Sequence, residues 1–183
     1  MKSRIILLVA VWSVAGVLML SAAEKRTKRQ EKAEFARTTI DLGLIVSDVE
    51  KAVKFYTEAI GFTKVSEFDV PGPMAGGTGL TNSKPFNVQV FALADAPSAT
   101  RLKIMTIPGD GLKLVDNRSI GSSLGFRYLT ILVADLDKAL ERLARHGVTP
   151  LKSPYRLGSD NRYLILVRDP DGNNIELIGP RQQ

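Results

Sequence analysis

The chain carries one stretch twice, and this duplication constrains its fold more than any other feature of the sequence. The segment from Ile40, IDLGLIVSDVEKAVKFYTEAIGF, aligns with the segment from Arg127, RYLTILVADLDKALERLARHGV, when Asp48 is set on Asp135. The offset is 87 residues at the aspartates and 86 at Gly61 and Gly147, after a one-residue gap. Val46 then matches Val133, Lys51 matches Lys138 and Ala52 matches Ala139. Each copy begins with an alternating strand and passes at its Asp into a helix. In the first helix Val49, Ala52, Val53, Tyr56 and Ile60 form one apolar stripe, and Leu136, Ala139, Leu140 and Leu143 form another in the second. Ser47 and Glu50 have the spacing of a capping box. Gly61 and Gly147 stand where a helix needs a left-handed residue to stop.

Strand-like segments follow each glycine, at 62–70, 86–93 and 101–107 in the first copy and at 148–155, 162–168 and 173–179 in the second. The repeating unit is therefore βαβββ, and the fold class is α+β. Asp169-Pro170-Asp171-Gly172 is a turn, with Pro presetting φ and Gly supplying the positive φ. The remaining Gly, Pro and Ser concentrate in loops at 71–85 and 109–125.

Residue counts narrow the chemistry. The chain has 183 residues, no Cys and one His, which removes disulfides, thiolate nucleophiles, Cys-ligated zinc and any His-rich metal centre. Its formal charge is +6, part of it at the N-terminus. There Lys2 and Arg4 precede an uncharged run from Ile5 to Ala23 that ends in Ser21-Ala22-Ala23. Residues 1–23 read as a secretory signal cleaved after Ala23, which makes the protein exported, periplasmic or secreted. The alternative is a retained membrane anchor through residues 5–23. The run approaches the ~17 residues that span a bilayer, and Lys25, Arg26, Lys28, Arg29 and Lys32 follow it. Residues 24–37 are a charged linker. Glu24, Glu31 and Glu34 dilute its positive run, and no interleaved aromatics follow, so no nucleic-acid partner is expected.

The βαβββ duplication, the Val-Ser-Asp and Val-Ala-Asp helix entries, the Phe55-Tyr56 pair, the Gly61-Phe62 stop and the Asp-Pro-Asp-Gly-Asn173 turn before Ile175-Glu176-Leu177 together resemble the vicinal oxygen chelate superfamily. That group includes glyoxalases, extradiol dioxygenases and bleomycin-resistance binding proteins. The resemblance spans residues 38–180, with module one at 38–108 and module two at 124–180. It implies a curled mixed sheet around a cavity with the helices outside, and a metal ligand from the first and last strand of each module.

Strand parity locates those positions. Leu42, Leu44 and Val46 face the helix, so Asp41, Gly43 and Ile45 face away from it. Tyr128, Thr130 and Leu132 do the same in module two. On the last strands Lys103 and Met105 alternate with Leu102 and Ile104, and Asn174 and Glu176 alternate with Ile175 and Leu177. The ligand-equivalent quartet is thus Asp41, Lys103, Tyr128 and Glu176. Glu176 alone is typical of the resembled family. Lys103 puts an ammonium with no acceptor where a divalent ion would sit. No cofactor or metal is expected as first choice, and a divalent metal held by Glu176 and Asp41 is the alternative. Ile45, Leu132, Met105 and Ile107 are expected as cavity walls, joined by Phe91, Asn87 and Gln89.

Other motifs fail on context. Gly121-Ser122-Ser123-Leu124-Gly125 has the G-x-S-x-G form without the strand before and helix after that a nucleophile elbow needs. His146, in the last helical turn, reads as a surface cap, and Gly76-Gly77-Thr78-Gly79 as a flexible lid or hairpin loop. Asn117-Arg118-Ser119 is a glycosylation sequon. Three functions compete: a metal-free binder of a small organic molecule, a divalent-metal enzyme of lyase, isomerase or dioxygenase type, and a membrane-tethered interaction module. One chain can complete the cavity, or a homodimer can exchange modules to do so.

Overall fold

A computed structural model describes residues 35–37, 39–109 and 111–182. The signal or anchor and most of the charged linker lie outside the described residues. Ile40–Gln183 forms one compact unit. Its elements run β1 (Asp41–Ile45), α1 (Val49–Lys54, continued by a π-helical stretch Phe55–Ile60), β2 (Thr63–Val70), α2 (Gly72–Gly77), β3 (Phe86–Ala92), β4 (Arg101–Met105), β5 (Tyr128–Leu132), α3 (Leu136–Arg145), β6 (Tyr155–Leu157), β7 (Arg162–Arg168) and β8 (Asn174–Pro180). Among the described residues they build two mixed four-stranded sheets, ordered β1-β4-β3-β2 and β5-β8-β7-β6, and no closed barrel. In both, the first and last strands of the module pair in parallel, Gly43 opposite Lys103 and Thr130 opposite Glu176.

The repeated helices, α1 and α3, both start on an aspartate. Asp48 accepts the Lys51 amide at 3.0 Å and Asp135 the Lys138 amide at 3.1 Å, each satisfying one orphan first-turn donor. The capping box expected from Ser47 and Glu50 does not form. The Asp48 side chain already fills that role one residue later, and Ser47 turns to the other module.

The one-residue gap in the repeat has a structural form. From cap to stop the first helix holds one residue more than the second, and the extra residue widens Phe55–Ile60 into a π-helix. The Tyr56 carbonyl accepts from both Gly61 N and Phe62 N, and Thr57 Oγ1 donates back to Val53 O at 2.7 Å. α3 needs no such turn. Both helices stop on a left-handed glycine, Gly61 at φ +97° and Gly147 at φ +69°.

One core takes the helix-facing side of both sheets. Phe91, Ile104, Leu136, Leu143, Ile165, Ile175 and Leu177 are its largest fully buried members. A second, smaller cluster lies on the opposite face of the first sheet, where Val70, Phe86 and Val88 are covered by Ala75 of α2. The stretch expected as a flexible loop at 76–79 thus begins inside a helix that seals this face. Gly72 lets α2 come close, since a Cβ there would stand 2.5 Å from Ser83 O.

Register corrects two expectations. Phe91 pairs with Leu102 and Gln89 with Ile104, so Phe91, Gln89 and Asn87 share the helix side instead of lining a cavity. Met105 and Ile107 pack into the smaller cluster under α2. The strand expected at 148–155 shrinks to β6, because Pro150 and Pro154 have no N–H to give to a ladder. Leu151 N still donates to Leu166 O at 2.8 Å.

Candidate ligand-binding site

Edge strands β1 and β5 border a cavity of about 460 Å³ between the modules. Long-range hydrogen bonds hold the modules together around it. The Asp169 carboxylate, in the Asp-Pro-Asp-Gly turn of module two and 5% exposed, accepts the Tyr56 hydroxyl of α1 at 3.0 Å. It also accepts Asp171 N, Asn173 N and Asn173 Nδ2 at 2.7–3.0 Å. Burial, and then the Asp169 charge, push the Tyr56 hydroxyl well above the usual tyrosine range. Asp171 accepts the Ser47 amide at 2.9 Å and the Ser47 hydroxyl. Arg142 of α3 donates to the Ala59 and Ile60 carbonyls at the end of the first helix, at 2.9 and 2.8 Å. Desolvation lowers the pKa of that guanidinium, with Arg145 adding to the effect.

Of the four residues read from strand parity, Asp41 and Tyr128 line this cavity together. Lys103 Nζ stands 3.0 Å from Asp41 Oδ2, and both border a neighbouring trough of about 410 Å³ with Ser66, Phe68 and Arg101. Glu176 lines neither space; its Oε2 accepts Thr130 Oγ1 at 2.6 Å on the adjacent strand. The structure therefore brings Asp41 to both Lys103 and Tyr128, and leaves Glu176 with Thr130. Among the described residues no group of three or more His, Asp or Glu is placed to hold a metal ion.

Of the expected walls, Ile45 lies beside the 112–115 segment, in a separate hollow. Leu132 is 76% exposed. Parity places Asn174 on the right side; the walls it misses are Tyr56, Phe126, Arg127 and Asn173, together with Ile40, Leu42, Leu44, Leu102 and Leu129. Parity along single strands finds residues facing away from a helix. This cavity opens at the gap between two sheets, so side chains from both faces reach it. The Phe126-Arg127 pair just before β5 was the available signal, an aromatic and a cation at a strand entrance.

The remaining motifs settle into structure. The Ser119 amide donates to Ser122 Oγ at 3.0 Å, and strand β5 follows the G-x-S-x-G segment. Asn117 Oδ1 accepts Arg127 Nη2 at 2.7 Å. His146 caps α3, with Nδ1 3.3 Å from Glu58 of the first helix.

The Glyoxalase/Bleomycin resistance protein/Dioxygenase superfamily matches residues 37–177. A probable chloroplastic lactoylglutathione lyase of Arabidopsis thaliana is 26% identical over 133 residues, 73% of this chain and 33% of the relative. A putative lactoylglutathione lyase of Brassica oleracea is also 26% identical, over 73% of this chain and 41% of the relative. The chain thus spans a third to two-fifths of these relatives. A glyoxalase family protein from Bacillus cereus superposes with a TM-score of 0.65 at 22% identity, over 81% of this chain and 96% of that one. An antibiotic-binding protein from Streptomyces superposes at 0.52 with 26% identity, over 80% and 98%.

Proposed function

We propose that this chain, which belongs to the Glyoxalase/Bleomycin resistance protein/Dioxygenase superfamily, binds a small organic molecule in the cavity between its modules and does so without a divalent ion. The observation that carries this is the contact of Lys103 with Asp41 at 3.0 Å. At the ligand-equivalent positions of module one the carboxylate already faces an ammonium, which has three donors and no acceptor. In module two Glu176 is engaged by Thr130, and Tyr128 offers only a phenol hydroxyl, a donor as well as an acceptor. A donor set of one ion-paired carboxylate, one hydrogen-bonded carboxylate and one phenol does not fit a resident divalent metal. The likeness to an antibiotic-binding protein supports the same reading. Export through residues 1–23, with cleavage after Ala23, belongs to the proposal and rests on the sequence.

The names of the plant relatives favour a second reading, a metal-dependent lyase. One measurement separates the two: elemental analysis of the full chain purified without chelators, repeated after re-addition of Mn²⁺, Fe²⁺, Ni²⁺ and Zn²⁺. We expect no stoichiometric ion in the wild type or in Glu176→Gln. An ion bound one to one and lost in Glu176→Gln would overturn the metal-free reading and make the enzyme the better one.

A further inference from the structure

We infer that the ligand of the inter-module cavity is a planar aromatic molecule packed against the rings of Phe126 and Tyr128, an inference that rests on reading this cavity as the binding site. Apart from Tyr128, the polar side chains around the cavity are already engaged within the protein. Asp41 holds Lys103, and the Tyr56 hydroxyl donates to Asp169. Arg127 Nη2 donates to Asp116 O and Asn117 Oδ1, both at 2.7 Å. Asn173 Nδ2 donates to Asp169 at 2.9 Å, and Asn174 Nδ2 to Arg127 O at 3.4 Å. A ligand recognised mainly by charge would have to break one of these bonds and leave its partner unpaired, which is unfavourable. Apolar contact is what remains to be used.

Much of that apolar surface is aromatic. Three of the thirteen lining residues, Tyr56, Phe126 and Tyr128, carry rings, in a chain that is 7% aromatic. Tyr56 is buried, with its ring held edge-on by Phe55 and Phe62 at 5.2 and 6.0 Å, so it forms a rigid wall. Phe126 is fully exposed and Tyr128 is 54% exposed. These two rings have area to give up to a ligand, and ring-on-ring contact adds to the gain from burial alone. At about 460 Å³ the cavity has the size of a small-molecule site. The Tyr128 hydroxyl stands without a hydrogen-bonding partner among the described residues and can meet one polar group on the ligand. The class that fits is a flat, largely uncharged ring system carrying a single hydroxyl or carbonyl.

Calorimetric titration of the full chain with 2-naphthol and with decahydro-2-naphthol tests this, because the two share a skeleton and a hydroxyl and differ in aromaticity. We expect 2-naphthol to bind about tenfold more tightly. Phe126→Leu keeps apolar bulk and removes only the ring, so it is expected to weaken 2-naphthol about fivefold and leave the saturated probe unchanged; Tyr128→Leu removes ring and hydroxyl together and is expected to weaken both probes, 2-naphthol the more. Both side chains are exposed, so the variants should melt at the wild-type temperature. Equal affinity for the two probes, or no effect of either substitution on 2-naphthol, overturns the aromatic preference while leaving the cavity as a binding site. No binding of either probe overturns both.

Discussion

The two modules repeat one another on the side that faces the helices and part company on the other side. In module one α2 folds across the outer face of the sheet, and Val70, Phe86 and Val88 are buried beneath it. In module two the corresponding face lies open: Leu132 is 76% exposed and Tyr155 72%. The helices diverge in the same sense. Tyr56, on the π-helical stretch, reaches across to Asp169, while the residue matched to it by the repeat, Leu143, is an ordinary fully buried core member. A duplicated unit needs the core under its α1-type helix to fold, and it is free to vary the opposite face of the sheet. That face and the gap between the sheets are where a ligand site can differ from one such protein to another.

Four substitutions test this contrast. The largest effect is expected from Asp169→Ala, which leaves the buried Tyr56 hydroxyl and the turn amides without their acceptor. It should cost about 3 kcal/mol or more in urea unfolding, and a loss below about 1 kcal/mol would mean that the modules do not depend on this fastener. Next comes a matched pair. Val88→Ala, under α2, should cost about 2 kcal/mol, while Leu132→Ala, on the open face, should stay within about 0.5 kcal/mol. Equal costs would show that the second face is covered in solution as the first is.

Tyr56→Phe is expected to cost about 1 kcal/mol near neutral pH, less than Asp169→Ala or Val88→Ala. It also carries a pH dependence. Burial and Asp169 raise the Tyr56 pKa in the folded protein, so below the unfolded value of about 10 both states keep the proton and the contribution is complete. Above it the unfolded chain releases a proton that the folded chain retains, and stability falls as pH rises. The difference between wild type and Tyr56→Phe should therefore shrink between pH 9 and pH 11 in urea midpoints. A constant difference would mean that the hydroxyl is not held as described.

Much of the architecture was legible because it is written in short-range signals. Asp48 and Asp135 cap helices through an amide three residues on, Gly61 and Gly147 stop them through their own φ, and the Asp169–Gly172 turn closes on itself, Gly172 N donating to Asp169 O. Alternation also distinguished the two faces of β1, β4, β5 and β8. It misjudged β3, where pairing with β4, and not the strand's own pattern, sets which face Phe91 takes.

The site was legible only in part, for the same reason. Asp41 and Lys103 could be placed from parity, and their ion pair follows from strands that lie side by side. That Tyr56 and Phe126, 70 residues apart in the chain, would line one cavity could not be read from any local pattern. The sequence by itself determined the doubled βαβββ order, the helix ends and even the extra residue that becomes a π-helical turn, since each of these depends on neighbours a few residues away. Only the tertiary structure decided that Ser47 would serve Asp171 instead of its own helix, that α2 would close one face and leave the other open, and that the cavity would fall between β1 and β5. Those outcomes depend on contacts between residues tens of positions apart, whose free energies are settled by how the two sheets and two helices pack together.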